Sequence, residues 1–220
     1  MYRKTIALIL IFILTGCALG ESPLPSEMDP KDLPDGRAFE DEFTRSLLQS
    51  TEEVIPGYYP FLAKNGRWEM AFPENGLTGS QSYISKQNTE SIVFTDWKEV
   101  KDISATIDVK FYSYFKPGDV ETKQRSLQSN IKLPLTFKEV DGEGQTYYIS
   151  SFEKKLDEET DIEKYGYAAY IQNENEAGGI FVIYSLYCHS DCADTIKEEL
   201  EEAYDWIKTI QFLDEELEES

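Results

Sequence analysis

Apolar residues are distributed along this chain in three distinguishable ways: one continuous run, several alternating stretches, and three stretches at helical spacing. The continuous run is Ile6 to Leu14, nine residues that follow Arg3 and Lys4. A hydrocarbon core of ~30 Å takes about 20 such residues, so this run is too short to span it. Phe39, Phe43 and Leu47 recur every four residues with Leu48 beside them, which predicts a helix that VIPGYYP breaks. GRWEMAF alternates and sets Trp68, Met70 and Phe72 on one face of a strand. SIVFTDW is denser and fits a buried strand. ATIDVKFYSYF alternates again, with Ile107, Val109, Phe111 and Phe115 against Asp108, Lys110, Tyr112 and Tyr114. Val120, Gln124, Leu127 and Ile131 predict a second helix.

Two hairpins follow. LTFKEVDGEGQTYYISSF has strand-like arms around DGEG, where glycine permits the positive φ of a tight turn. YGYAAYIQ and GGIFVIYSLYC flank NENEAGG, a longer loop. The last helix is the clearest element: Ile196, Leu200, Ala203, Ile207 and Ile210 repeat at alternating spacings of four and three. Asp191 is placed to cap its start, Lys208 suits its negative end, and LDEELEES trails behind it. Strands in antiparallel succession, with helices before, between and after them, predict an α+β domain over residues 38–213 and an acidic tail over 214–220. Its architecture would be a single, largely antiparallel sheet with covering helices.

GRWEMAFPENG and DWIKTIQF resemble the framing segments of PsbP-like domains, which are α/β/α sandwiches. Trp68, Phe72 and Pro73 stand at the opening strand, and Ile207, Ile210 and Phe212 at the closing helix and strand. The polar residues of Thr209-Ile210-Gln211-Phe212 depart from the family's ending. That resemblance implies a fold and a partner-binding or assembly role, and it transfers no catalytic residue.

The N-terminal run ends in Leu14-Thr15-Gly16-Cys17, which resembles the lipobox of bacterial lipoproteins. The resemblance implies a signal peptide over 1–16 and a Cys17 that is acylated and becomes the first mature residue. Two acyl chains at about 0.8 kcal/mol per buried methylene suffice for stable anchoring. Ala18, in place of the Asp that signals inner-membrane retention, implies the outer membrane of a two-membrane bacterium, or else the outer face of a single cell membrane. Pro23, Pro25, Pro30 and Pro34 mark residues 17–37 as a linker, with a reach of roughly 60–70 Å when stretched.

Net charge is −21, and loss of Arg3 and Lys4 with the leader makes it −23. Nucleic-acid binding rests on Lys and Arg against phosphate, so that class is excluded. No polybasic patch recommends lying on anionic lipid, and the anchor alone is the expected membrane contact. CHSDC holds the remaining thiols, Cys188 and Cys192, in a compartment that permits disulfides. Their spacing allows the Cα separation of roughly 4.4–6.8 Å that a bridge takes. Free thiols, or a redox or metal role, are the alternatives. Cys188, His189 and Cys192 lack a fourth Cys or His for a structural metal site, so no metal or cofactor is expected.

His189 is the only histidine, and without a Gly-x-Ser-x-Gly elbow it reads as a solvent-facing turn residue. Gly142 and Gly144 have Tyr147 where a third glycine belongs, so they form no dinucleotide site. DEETDIE, Asp157 to Glu163, lacks the frame of an EF-hand and reads as a solvated acidic loop. Nine strand tyrosines remain. The bland reading is a half-buried sheet face. The sharper one is a binding face built from Tyr112, Tyr114, Tyr147, Tyr167 and Tyr184 for a protein or glycan partner. The leading expectation is therefore a non-enzymatic, lipid-anchored binding or assembly module of the cell envelope. An envelope enzyme using paired carboxylates, or a purely structural surface protein, are the alternatives.

Overall fold

A computed structural model describes residues 23–98, 103–156, 162–189, 192 and 195–213. The leader, Cys17, Asp191, the tail from 214 and most of the DEETDIE loop lie outside the described residues. The chain is an antiparallel α+β domain with helices covering its sheets. Its larger sheet has eight strands, in the order β3 (Gly76–Leu77), β5 (Thr89–Lys98), β6 (Ile103–Tyr112), β10 (Gly179–Cys188), β9 (Glu163–Asn173), β8 (Gln145–Lys155) and β7 (Lys138–Asp141). β4 (Tyr83–Lys86) pairs with β5 off this path. The strands do not form one sheet: β1 (Tyr58–Leu62), β2 (Trp68–Pro73) and β11 (Gln211–Phe212) make a separate three-stranded sheet.

Alternation in the sequence becomes the two faces of the larger sheet. Registers of Ile180 with Phe111 and with Ile171, and of Tyr147 with Ile171, put Ile107, Val109, Phe111, Val182, Tyr184 and Ile149 on one inner face. All six are buried. The small sheet and α4 (Ile196–Ile207) close over this face. Phe72 of β2 meets Phe94 of β5 at 4.8 Å, and the Trp206 indole N–H donates to the Ala71 carbonyl at 2.6 Å. The opposite, outer face carries a second apolar cluster of Phe152, Ala168, Tyr170 and Phe181, covered by α3 (Val120–Ile131) through Leu127 and Ile131.

Four expectations change in detail. The N-terminal stripe is divided between two single-turn helices, α1 (Arg37–Glu40) and α2 (Glu42–Arg45). Asp41 is extended between them, and its carboxylate accepts the Thr44 N–H at 2.7 Å as the cap of α2. SIVFTDW is not buried on both sides, since Ile92 and Phe94 point inward while Thr95 and Trp97 are exposed. β6 ends at Tyr112, and the turn beyond it carries Phe115 to the outer face, stacked on Tyr112 at 4.4 Å. Part of the segment read as linker also lies against the domain: Pro25 is buried, and Leu33 packs on the main core.

Candidate functional site

A recess lies where the small sheet, β5 and α4 converge. It encloses about 440 Å³ and is lined by Tyr58, Pro73, Glu74, Asp96, Glu202 and Trp206, among others. Asp96 is on the inward side of β5, so pairing in the sheet places a carboxylate that is only 3% exposed at the recess. Trp206 reaches it because α4 turns that indole inward, in edge contact with Tyr184 at 5.4 Å. Burial, and after it the field of Asp96, pushes the Tyr184 phenol well above its ordinary range. Walls of this kind are acidic and aromatic. An adjoining groove of about 330 Å³ shares Ile55 and adds Val54, Pro60 and Met70. Val54 and Ile55 are exposed at 54% and 41%, which makes the loop between the two hollows apolar and open.

The five tyrosines proposed as one binding face do not share a face, and that expectation is corrected. Tyr147, Tyr167 and Tyr184 lie on the inner face, whereas Tyr112 is on the outer one. Tyr147 is 5% exposed, and its hydroxyl donates toward the carbonyls of Lys208 and Ile210 at 3.1 and 3.2 Å. Tyr167 is half-buried against Tyr204 of α4 at 5.7 Å. Tyr112 packs on Phe115, and Tyr114 alone of the five is open, at 57%. Register decides which face a residue joins, and register depends on pairings that spacing alone does not reveal.

Cys188 and Cys192 stand together, with Sγ atoms 2.09 Å apart and Cα atoms 5.9 Å apart. They join the end of β10 to the start of α4, where the Cys192 carbonyl accepts the N–H groups of Thr195 and Ile196. His189 is exposed, with Nε2 3.2 Å from the Ser104 hydroxyl. Among the described residues no three His, Cys, Asp or Glu side chains are grouped to hold a metal ion, and no helix is long and apolar enough to cross a membrane. The sequence reading missed Tyr58, Asp96, Glu202 and Trp206 as neighbours. The available signal was Asp96 itself, a carboxylate at the inward parity of a strand whose other inward residues are Ile92 and Phe94.

Fold and recess together define a class: an antiparallel α+β domain with a concave acidic and aromatic hollow beside an apolar loop. A family model described as "Putative lipoprotein YvcA" matches residues 34–211. A protein of the same description from Bacillus subtilis (strain 168) is 30% identical over 186 residues, 78% of this chain and 73% of its own length. The chain belongs to the YvcA lipoprotein family. Membership rests on these matches and not on the likeness of the framing segments to PsbP-like domains. Among solved structures, a mutant of protein Mog1 aligns at TM-score 0.46 and 7% identity, covering 73% of this chain and 98% of that one. The Saccharomyces cerevisiae Ran-binding protein Mog1p aligns at 0.43 and 8%, covering 71% and 96%. Likeness at that level fixes neither a fold nor a partner for this chain.

Proposed function

We propose that this protein is a binding module of the cell envelope, held to the outer face of a membrane by diacylglyceryl-modified Cys17. The observation that carries the anchor is the agreement between Leu14-Thr15-Gly16-Cys17 and membership of a lipoprotein family. What supports binding is the pair of hollows around exposed Val54 and Ile55, a shape that fits capture of a partner or ligand. Cells fed an alkyne fatty acid should label the wild-type chain and leave Cys17→Ala unlabelled. Protease added to intact spheroplasts should remove the domain. Equal labelling of both chains, or a protected domain, overturns the anchor. A photoreactive side chain at Ile55 should give a discrete adduct in intact cells, and the absence of any adduct overturns the binding surface.

The second reading, an envelope enzyme acting through paired carboxylates, has its footing in the same recess, where Glu74, Asp96 and Glu202 converge. Release of reducing ends from envelope glycans, lost in Asp96→Asn, would favour it over binding.

A further inference from the structure

Positive charge is scarce in this chain, yet three lysines border one cavity. The hollow between α3 and the outer face of the β8–β9 hairpin encloses about 270 Å³, and among the described residues its lining includes Lys132, Lys154 and Lys164 but no carboxylate. Register explains the grouping. Lys154 pairs directly with Lys164, and the pleat sends both to the outer face while Glu153 and Glu163 point to the other side. Directly opposed like charges on paired strands cost stability. Among the described residues, none of the three lysines has a carboxylate within ion-pair distance to relieve that cost. The Lys164 ammonium lies over the rings of Tyr187 at 5.4 Å and Phe152 at 5.7 Å, which hold it in place. Lys132 closes the rim from the C-terminal end of α3 with φ 61°, a conformation that L side chains rarely adopt. The floor is apolar, made by Ile131, Phe152 and Ile183, and Leu156 beside it is 43% exposed.

We infer that this hollow is a binding site for an oxyanion bearing a short apolar group, an alkyl phosphate or carboxylate. The anion sits between Lys132, Lys154 and Lys164, and its apolar part lies on Phe152 and Ile183. Fixed cations of one sign attract such a group at a cost in stability when the site is empty, and the apolar floor separates it from a bare inorganic ion. The same chemistry is offered by a soluble metabolite and by a phospholipid headgroup, and the inference commits to the soluble source. It deepens the binding-module reading and rests on it only for the compartment in which the ligand is met.

The test uses the full chain in phosphatidylcholine nanodiscs or, should it carry no lipid, in buffer, so failure of the anchor and failure of the site are separate results. Hexyl phosphate is titrated by calorimetry. The expected result is saturable binding that weakens with salt, is at least tenfold tighter than for inorganic phosphate, and drops at least tenfold in Lys154→Gln/Lys164→Gln. Without anion, that variant should melt at or above the wild-type temperature, because a repulsion has been removed. Equal affinity in the double variant, or no preference over inorganic phosphate, overturns the site. So does a lowered melting temperature in the ligand-free variant, the mark of an internal ion pair lost to the neighbouring acidic loop. Exchange of the nanodisc lipid for phosphatidylglycerol should leave hexyl phosphate binding unchanged; a tenfold loss there overturns the soluble source.

Discussion

Tyr147→Phe removes one oxygen and tests whether this ring is a fastener or part of a binding surface. Its hydroxyl lies 3.1 Å from the Lys208 carbonyl and 3.2 Å from that of Ile210, both in the segment that enters β11. Gln145 completes the clasp, with Nε2 donating to the Ile210 carbonyl at 2.8 Å and Oε1 accepting the Phe212 N–H at 3.2 Å. The two sheets are therefore tied by side chains of β8 that hold the last strand of the small sheet. Loss of one buried neutral hydrogen bond costs about 0.5–1.5 kcal/mol, and a carbonyl left short of a donor adds about as much again, for an expected total of about 1–3 kcal/mol. At about 2–4 °C per kcal/mol for a domain of this size, the melting temperature falls by roughly 2–12 °C. Urea titration of the single variants and of Tyr147→Phe/Gln145→Leu gives the coupling. Gln145 Nε2 also donates to the Tyr147 hydroxyl, a bond that either single variant breaks, so the double variant should lose at least ~0.5 kcal/mol less than the sum of the singles. A Tyr147→Phe midpoint equal to wild type, or strict additivity, would show that the clasp does not hold the sheets together.

Three further outcomes are expected. A Cβ at Gly166 would lie 1.9 Å from the Tyr184 carbonyl oxygen, so Gly166→Ala must displace the centre of the β9–β10 pairing; it should exceed the ~1–3 kcal/mol usual for overpacking, read as loss of a cooperative urea transition. Cys188→Ala/Cys192→Ala should lower stability by about 2 kcal/mol from the loop-closure entropy of so short a bridge, and unreduced protein should gain the mass of two hydrogens on reduction; two free thiols beforehand refute the bridge. Glu90 is 1% exposed, and burial raises its carboxyl above its ordinary 4.5 despite the N–H groups of Lys64 and Asn65 that it accepts. The folded state thus holds this proton to higher pH than the unfolded chain, and the group's contribution falls as pH rises from 4.5 through the folded value, then stays level. Melting curves across that window should lose this component of the slope in Glu90→Gln, and an unchanged slope refutes the assignment.

What could be read in advance follows from the range over which each signal acts. α4 and the strands β2, β6, β8, β9 and β10 are legible because a period of 3.6 or 2 is written within each segment. β1 is not, because Pro60 interrupts YYPFL and the stretch reads as a break; in the structure Pro60 lies on an edge strand. The division into two sheets is equally hidden. It depends on Gln211 and Phe212 pairing with Glu69 and Trp68, a contact across most of the chain made by a strand of two residues. The disulfide spacing was readable because it is local. The tyrosine face failed for the opposite reason: Tyr112 and Tyr147 have no common reference until β6, β10, β9 and β8 are laid side by side. The paired lysines were readable in principle, since FEKK and EKYG each set a Lys directly after a Glu, but only the register makes Lys154 and Lys164 neighbours.

Geometry also bears on which source supplies the lysine hollow. With Pro25 buried against the domain, a lipid on Cys17, as proposed, would be joined to the folded surface by eight residues, with a reach of roughly 25–30 Å at full extension. A domain of about 190 residues has a radius of gyration near 16 Å, so the tether is shorter than the molecule is wide. A domain anchored in that way could not turn every side to the bilayer. Pro25 and its short helical turn contact α2, and α1 and α2 pack with the core of the inner face. The lysines lie on the outer face of the larger sheet, beneath α3, and therefore on the side turned from the point of attachment. A Debye length of about 8–10 Å further screens lipid charge at that distance. In a domain anchored as proposed, a hollow so placed would meet solutes before headgroups, which is why the phosphatidylglycerol exchange is expected to leave its affinity unchanged.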